Sequence, residues 1–173
     1  QGQVYEAFNM AALWDLPIIF VVENNGYAMG TAVTRGSAET QFHRRGTAFR
    51  IPGMSVNGMD VLEVRAAAEV ALAHVRAGKG PVLMELMTYR YRGHSMSDPA
   101  KYRSREEVQE MRDKHDPIDA AKEELLKRGV SEDRLKELEK AIRAKVAEAA
   151  DFAENSPEPE AAELYTDVLV ESY

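Results

Sequence analysis

Residues 18–30 read IIFVVENNGYAMG: five apolar positions, Ile18 to Val22, then Glu23 and the polar run Asn24-Asn25-Gly26 before Tyr27. The apolar, largely β-branched segment has the length and composition of a buried strand. Two amides and a glycine stop it, as turn residues do. Ahead of it, Val4, Phe8, Ala11 and Ala12 recur at helical spacing through VYEAFNMAALWDLP. A helix to about Trp14 therefore passes through Pro17 into the strand, a passage of the kind that builds parallel sheets. In such sheets ligands bind beyond the carboxyl ends of the strands, which is where Asn24 and Asn25 fall.

Working outward, residues 24–53 are loop-like, with Gly26, Gly30, Gly36, Gly46 and Gly53 scattered through polar sequence and a short helix expected near 38–45. A connection this long inside a domain usually has a functional role. MSVNGMD, residues 54–60, predicts a short strand and a turn. Asp60 with Glu63 makes a capping box for a helix over 61–77 that stops at Gly78. Gly80-Pro81 then leads into a second buried strand, Val82 to Thr88. The order α-β-loop-β-α-β is that of an open parallel α/β sheet flanked by helices.

From residue 93 the character changes. Ser104 with Glu107 caps a helix to about Lys114, Asp116-Pro117 starts another that Gly129 ends, and Ser131 caps a long third one. Leu135, Leu138, Ile142, Val146, Ala149 and Phe152 form an apolar stripe along that third helix. NSPEPEAAE breaks it before a last short helix or strand ending at Tyr173. Three regions are expected: an α/β domain over 1–92, an active-site loop over 93–105, and a helical C-terminal extension over 106–173.

Composition narrows the chemistry. A chain of 173 residues with 45% hydrophobic and 29% charged residues is soluble and globular in character. The net charge of −7 argues against nucleic acid as a partner. With no cysteine, disulfides, thiolate nucleophiles and Cys-ligated zinc are excluded. No apolar run approaches the ~20 residues that cross a bilayer, so no membrane association is expected. A helix that opens the sequence without a polar lead looks like a cut through a longer chain.

Two clusters can carry function. Magnesium wants six oxygens and shares them with substrate phosphates. The Asn25 side-chain oxygen and the Tyr27 carbonyl, two residues apart in a tight turn, can converge on one ion. Both are neutral, so a carboxylate and phosphate oxygens must come from elsewhere. A plain turn also accounts for Asn24-Asn25-Gly26. The second cluster is TYRYRGHSMSDP, residues 88–99, which again follows a buried strand. Strand alternation would put Arg90, Arg92 and His94 on one side, a set suited to a diphosphate, with Gly93 allowing close approach of a ligand. Solvated edge charges and a loop histidine are the other reading. Gly78-Lys79-Gly80 lacks the spacing of a phosphate loop. Glu85, among apolar residues, reads as a paired structural acid. His43 and His74 have no metal-ligand spacing, and His115 reads as a surface residue.

QGQVYEAFNMAALWDLPIIFVVENNGYAMGT and PVLMELMTYRYRGHSMSDPAKYRSREEVQEMRDKHDPI closely resemble the alpha subunits of the thiamine-diphosphate-dependent 2-oxoacid dehydrogenases. YRYRGHSMSDP is more similar to the pyruvate enzymes than to the branched-chain 2-oxoacid or acetoin enzymes. The resemblance implies the thiamine-diphosphate-binding fold, with thiamine diphosphate and Mg2+ as cofactors. It implies Asn25 and the Tyr27 carbonyl as metal ligands, and Arg90 and His94 as diphosphate contacts. His94 is further implied in passing the acyl group to the lipoyl domain of the dihydrolipoyl acyltransferase. A beta subunit in an α2β2 heterotetramer would complete the site. The family's Gly-Asp-Gly element, with its carboxylate ligand, is expected upstream of Gln1 in the same protein. Ser95 and Ser97 match serines of a loop that phosphorylation controls in mammalian relatives. DPAKYR is shorter than the mammalian loop, which argues against kinase control and for a bacterial, cytoplasmic protein rather than one of the mitochondrial matrix.

Overall fold

The computed structural model describes residues 2–167. In chain order the elements are α1 (Gly2–Leu13), β1 (Ile19–Asn24), β2 (Tyr27–Ala28), β3 (Thr31–Ala32), α2 (Val33–Gly36), a 3-10 helix (Phe42–Phe49), β4 (Gly53–Asn57), α3 (Val61–Arg76), β5 (Val82–Met87), α4 (Arg105–His115), α5 (Pro117–Lys127), α6 (Glu132–Asn155) and a 3-10 turn (Ala161–Tyr165). Two compact units divide after Glu124.

The first unit is built on a three-stranded parallel sheet in the order β1-β5-β4. β5 is central, and Val82, Leu83, Met84 and Glu85 are all buried. Alternation along it separates two cores. Val82 and Met84 join Val56 and, from α3, Ala71 and Val75. Leu83 joins Phe8 of α1 and Ile51, with the Phe8 ring 4.7 Å from Phe20 and edge-on to it. Burying each such side chain contributes roughly 1.5–3 kcal/mol, so these alternating residues hold a helical layer on either face.

The expected caps form. The Asp60 carboxylate accepts from Leu62 N and Glu63 N at the start of α3, and Ser104 Oγ accepts from Glu107 N at the start of α4. Asp116 Oδ1 accepts from Ile118 N, and Pro117 opens α5 as expected.

The stretch 24–53 departs from expectation. Instead of one helix near 38–45 it holds a two-residue hairpin (β2–β3), the single turn α2, and the 3-10 helix from Phe42. Gly53 explains why that last element lies tight on the sheet. A Cβ there would stand 1.9 Å from the His43 carbonyl oxygen, so only glycine lets β4 begin beneath it.

The second unit, from Leu125, contains α6, whose cap Ser131 accepts from Arg134 N. Its expected stripe is largely exposed, including Ile142, Val146 and Phe152. The C-terminal element expected to end at Tyr173 lies outside the described residues beyond the 3-10 turn.

Candidate functional site

β1 and β5 are paired so that Asn24 stands opposite Met87. The segments leaving their carboxyl ends therefore start side by side, and the two sequence clusters meet there.

The turn after β1 is shaped by Asn24 more than by the Asn-Gly pair. Asn24 is 6% exposed; its Nδ2 donates to Glu85 Oε1 at 2.7 Å and its Oδ1 accepts from Gly26 N at 3.0 Å. Gly26 takes a positive φ of 80°, which suits glycine. Asn25, between them, points elsewhere. Its Oδ1 lies 3.5 Å from Arg90 Nη1, a long contact. Tyr27 begins β2, with its ring 4.8 Å from that of Tyr102.

Past β5 the strand geometry does not persist, so the expected alignment of Arg90, Arg92 and His94 is not seen. β5 ends at Met87 and the chain bends at residues 91–92. Arg90 turns inward, with Nη2 donating to the Met29 carbonyl at 2.9 Å and to Tyr102 Oη at 2.7 Å. Arg92 is exposed, and only its carbonyl joins in, accepting from Arg90 Nε. His94 is also exposed and is tied in through its main chain, whose N–H donates to Asp98 Oδ2 at 2.7 Å. Asp98 gathers that N–H, the Ala100 N–H and the Tyr102 hydroxyl. These three donors, in that order of weight, pull its carboxyl down to about 2. A continuous path thus runs Asn25–Arg90–Tyr102–Asp98–His94. At Gly93 the loop also has no room for a side chain: a Cβ would lie 2.3 Å from the Asp98 carbonyl oxygen. The loop closes on itself there.

Arg103 joins the two clusters without any motif in the sequence to mark it. Its side chain is 4% exposed. Nη2 donates to the Asn25 carbonyl at 2.6 Å and Nη1 donates to the Arg90 carbonyl. The guanidinium carbon lies 4.1 Å from the Tyr89 ring centroid and 4.9 Å from that of Tyr27. One side chain therefore fastens the backbones of both clusters. Its one sequence signal was its place immediately before the Ser104 cap, where α4 fixes its direction. Tyr89 donates to Glu107 Oε1 at 2.8 Å, and burial together with that carboxylate pushes its hydroxyl up to about 12.

Glu85 is a paired acid, as the sequence suggested. His43 N and Nδ1 both donate to its Oε2, at 2.9 and 2.7 Å. Burial opposes its charge, yet the bonds from His43, Asn24 and the Phe42 main chain outweigh that and hold it below the usual carboxylate range.

The donor set decides which group fits. Asn25 offers a neutral oxygen and Arg90 a guanidinium, and among the described residues no three His, Cys, Asp or Glu side chains gather as a metal site. A bare dication would meet a guanidinium there. With a metal carried by a diphosphate, the amide oxygen can ligate the metal and the guanidinium can donate to the phosphate oxygens. The residues fit that combination.

Fold and clusters together define an α/β protein in which two polar segments meet at the carboxyl ends of parallel strands. The model of the Dehydrogenase E1 component family matches residues 1–162, and the chain belongs to that family. It is 61% identical over 171 residues to the pyruvate dehydrogenase E1 component subunit alpha of Rhizobium meliloti (strain 1021), covering 98% of this chain and 49% of that protein. With the protein of the same name from Zymomonas mobilis it shares 61% identity over 173 residues, 100% of this chain and 49% of that one. The human somatic mitochondrial form is 53% identical over 166 residues, 95% of this chain and 42% of that protein. The chain thus spans about half the length of the bacterial relatives. No helix among the described residues is long and apolar enough to cross a membrane.

Proposed function

We propose that this chain is the portion of a pyruvate dehydrogenase alpha subunit that carries one wall of the thiamine diphosphate site. The reaction is oxidative decarboxylation of pyruvate, with the acetyl group passed to the lipoyl domain of the dihydrolipoyl acyltransferase. The observation that carries this reading is the meeting of Asn25 with Arg90 at the ends of β1 and β5, in a chain 61% identical to proteins of that name. The same identity to bacterial proteins supports a bacterial, cytoplasmic source. When bound, thiamine diphosphate supplies the nucleophilic carbon and the electron sink. Asn25 Oδ1 and the Tyr27 carbonyl hold Mg2+, and Arg90 holds the diphosphate. His94, on the exposed loop over 93–105, contacts the diphosphate and faces acyl transfer. The remaining ligand carboxylate comes from an upstream Gly-Asp-Gly segment, and a beta subunit in an α2β2 heterotetramer completes the site.

Asn25→Ala in the assembled full-length enzyme tests this reading. Calorimetry should show thiamine diphosphate affinity in the presence of Mg2+ reduced about tenfold, on the order of 1.4 kcal/mol, with a nearly unchanged melting temperature. Unchanged affinity with a lowered melting temperature would make Asn25 a turn residue only.

The loop offers a second check. Tyr102 and Arg103 anchor its far end, but between Gly93 and Ala100 it has few apolar anchors and its bonds run mainly through Asp98, so that part has low local stability. Cleavage by trypsin between Arg92 and Arg105 should slow several-fold when thiamine diphosphate and Mg2+ are added. Equal rates would remove Arg90 and His94 from the cofactor's contacts.

A further inference from the structure

Glu85 lies on the central strand, 1% exposed and away from any solvent that could stabilise its charge. Its carboxylate has two arms. Oε2 receives the His43 main-chain and ring N–H groups and so holds the 3-10 helix. Oε1 receives Asn24 Nδ2, and Asn24 Oδ1 in turn receives Gly26 N–H. Because a carboxylate only accepts and a main-chain N–H only donates, the Asn24 amide has a single workable orientation. The amide therefore transmits the position of Glu85 to the backbone of Gly26, and Asn25 is the residue spanned by that link.

We propose that Glu85 is a positioning residue for the turn that presents Asn25 and Tyr27. Its buried carboxylate fixes Asn24, Asn24 fixes Gly26, and the placement of the Asn25 amide and the Tyr27 carbonyl follows. Structural need alone would not direct one arm to this turn; a hydrophobic residue fills a central strand at lower desolvation cost. The two arms separate in function. The His43 arm holds the helix on the sheet, and the Asn24 arm sets the turn whose oxygens would hold the metal. The inference rests on the thiamine diphosphate reading for its consequence but not for its geometry.

Glu85→Gln is nearly isosteric, but its one oxygen cannot serve both arms and its NH2 opposes a donor on one of them. The experiment uses the full-length enzyme with its partner subunit and has two readouts. The first is hydrogen exchange of peptides spanning Asn24–Met29 without cofactor. Exchange there should rise about tenfold in Glu85→Gln and in Asn24→Ala, and stay near wild type in His43→Phe. The second is thiamine diphosphate affinity with and without Mg2+. Both turn-arm variants should reduce the tightening by Mg2+ about tenfold, leaving metal-free affinity near wild type, whereas His43→Phe lowers melting temperature and leaves that ratio intact. In Glu85→Gln and Asn24→Ala, unchanged exchange in Asn24–Met29, or a lowered melting temperature with an intact Mg2+ ratio, overturns the proposal. If Glu85→Gln does not assemble, Asn24→Ala decides by the same two measurements. A wild-type enzyme that shows no Mg2+-dependent binding sinks the cofactor reading, while the exchange result still decides whether Glu85 sets the turn.

Discussion

Alanine at Gly53 is expected to cost about 3 kcal/mol, at the upper end of what overpacking does. The added Cβ would lie 1.9 Å from the His43 carbonyl oxygen, 2.7 Å from its carbonyl carbon and 3.3 Å from its Cα. All three are backbone atoms, so no rotamer change relieves the clash. Either β4 leaves its register with β5, which pairs Gly53 with Leu83, or the 3-10 helix lifts off the sheet. Lifting that helix would draw both His43 N–H groups away from Glu85 and leave a buried carboxylate short of donors, itself a costly state. Measured in the full-length enzyme, the melting temperature should fall by several degrees. Gly36→Ala is the matched control, since a Cβ there meets only Thr31 Cγ2 at 3.8 Å. Equal melting temperatures for the two variants would mean that the close approach at Gly53 has no energetic weight.

Strands and capped helices were legible because local chemistry determines them. Val82 to Thr88 reads as a buried strand from composition and the strand formed is Val82–Met87, and Asp60, Ser104 and Ser131 mark helix starts by a bond each makes within its own first turn. Residues 33–49 were not legible in the same way. Their 3-10 helix is set by contact with the sheet, through Glu85 on His43 and through Gly53 beneath it. Neither contact leaves a periodic signature.

The site divides along the same line. Asn25 and Arg90 were found from their place after apolar runs, and the structure brings them together. Continued strand alternation would group Arg92 with them, whereas the bend after β5 sends it to solvent. The role of Asn24 was hidden behind that of its neighbour, because an Asn-Asn-Gly turn is explained without a partner 61 residues away on another strand. Arg103 lies 78 residues from Asn25. No local pattern could announce it.

That distance makes Arg103 the most informative position on the loop. Arg103→Met keeps much of the aliphatic stem but removes both donors, leaving the Asn25 and Arg90 carbonyls without the guanidinium that joins them. Bonds to a charged group are each worth about 1.5–3 kcal/mol, and water can replace part of that at the more open carbonyl. Stacking against Tyr89 and Tyr27 contributes about 1 kcal/mol more, while relief of the cation's own desolvation offsets some of the loss. The net expected destabilisation is about 3 kcal/mol. Arg103→Lys separates charge from geometry. One ammonium is a point donor that cannot span both carbonyls as the planar fork does, so the lysine variant should recover less than half of the loss. Denaturant unfolding of the full-length enzyme without cofactor measures the stability term. Hydrogen exchange then locates it, with faster exchange expected in both the turn after β1 and the loop from Gly93 to Tyr102. If Arg103→Lys were as stable as wild type, charge alone would hold the site together, and the two-carbonyl clamp would have no energetic role.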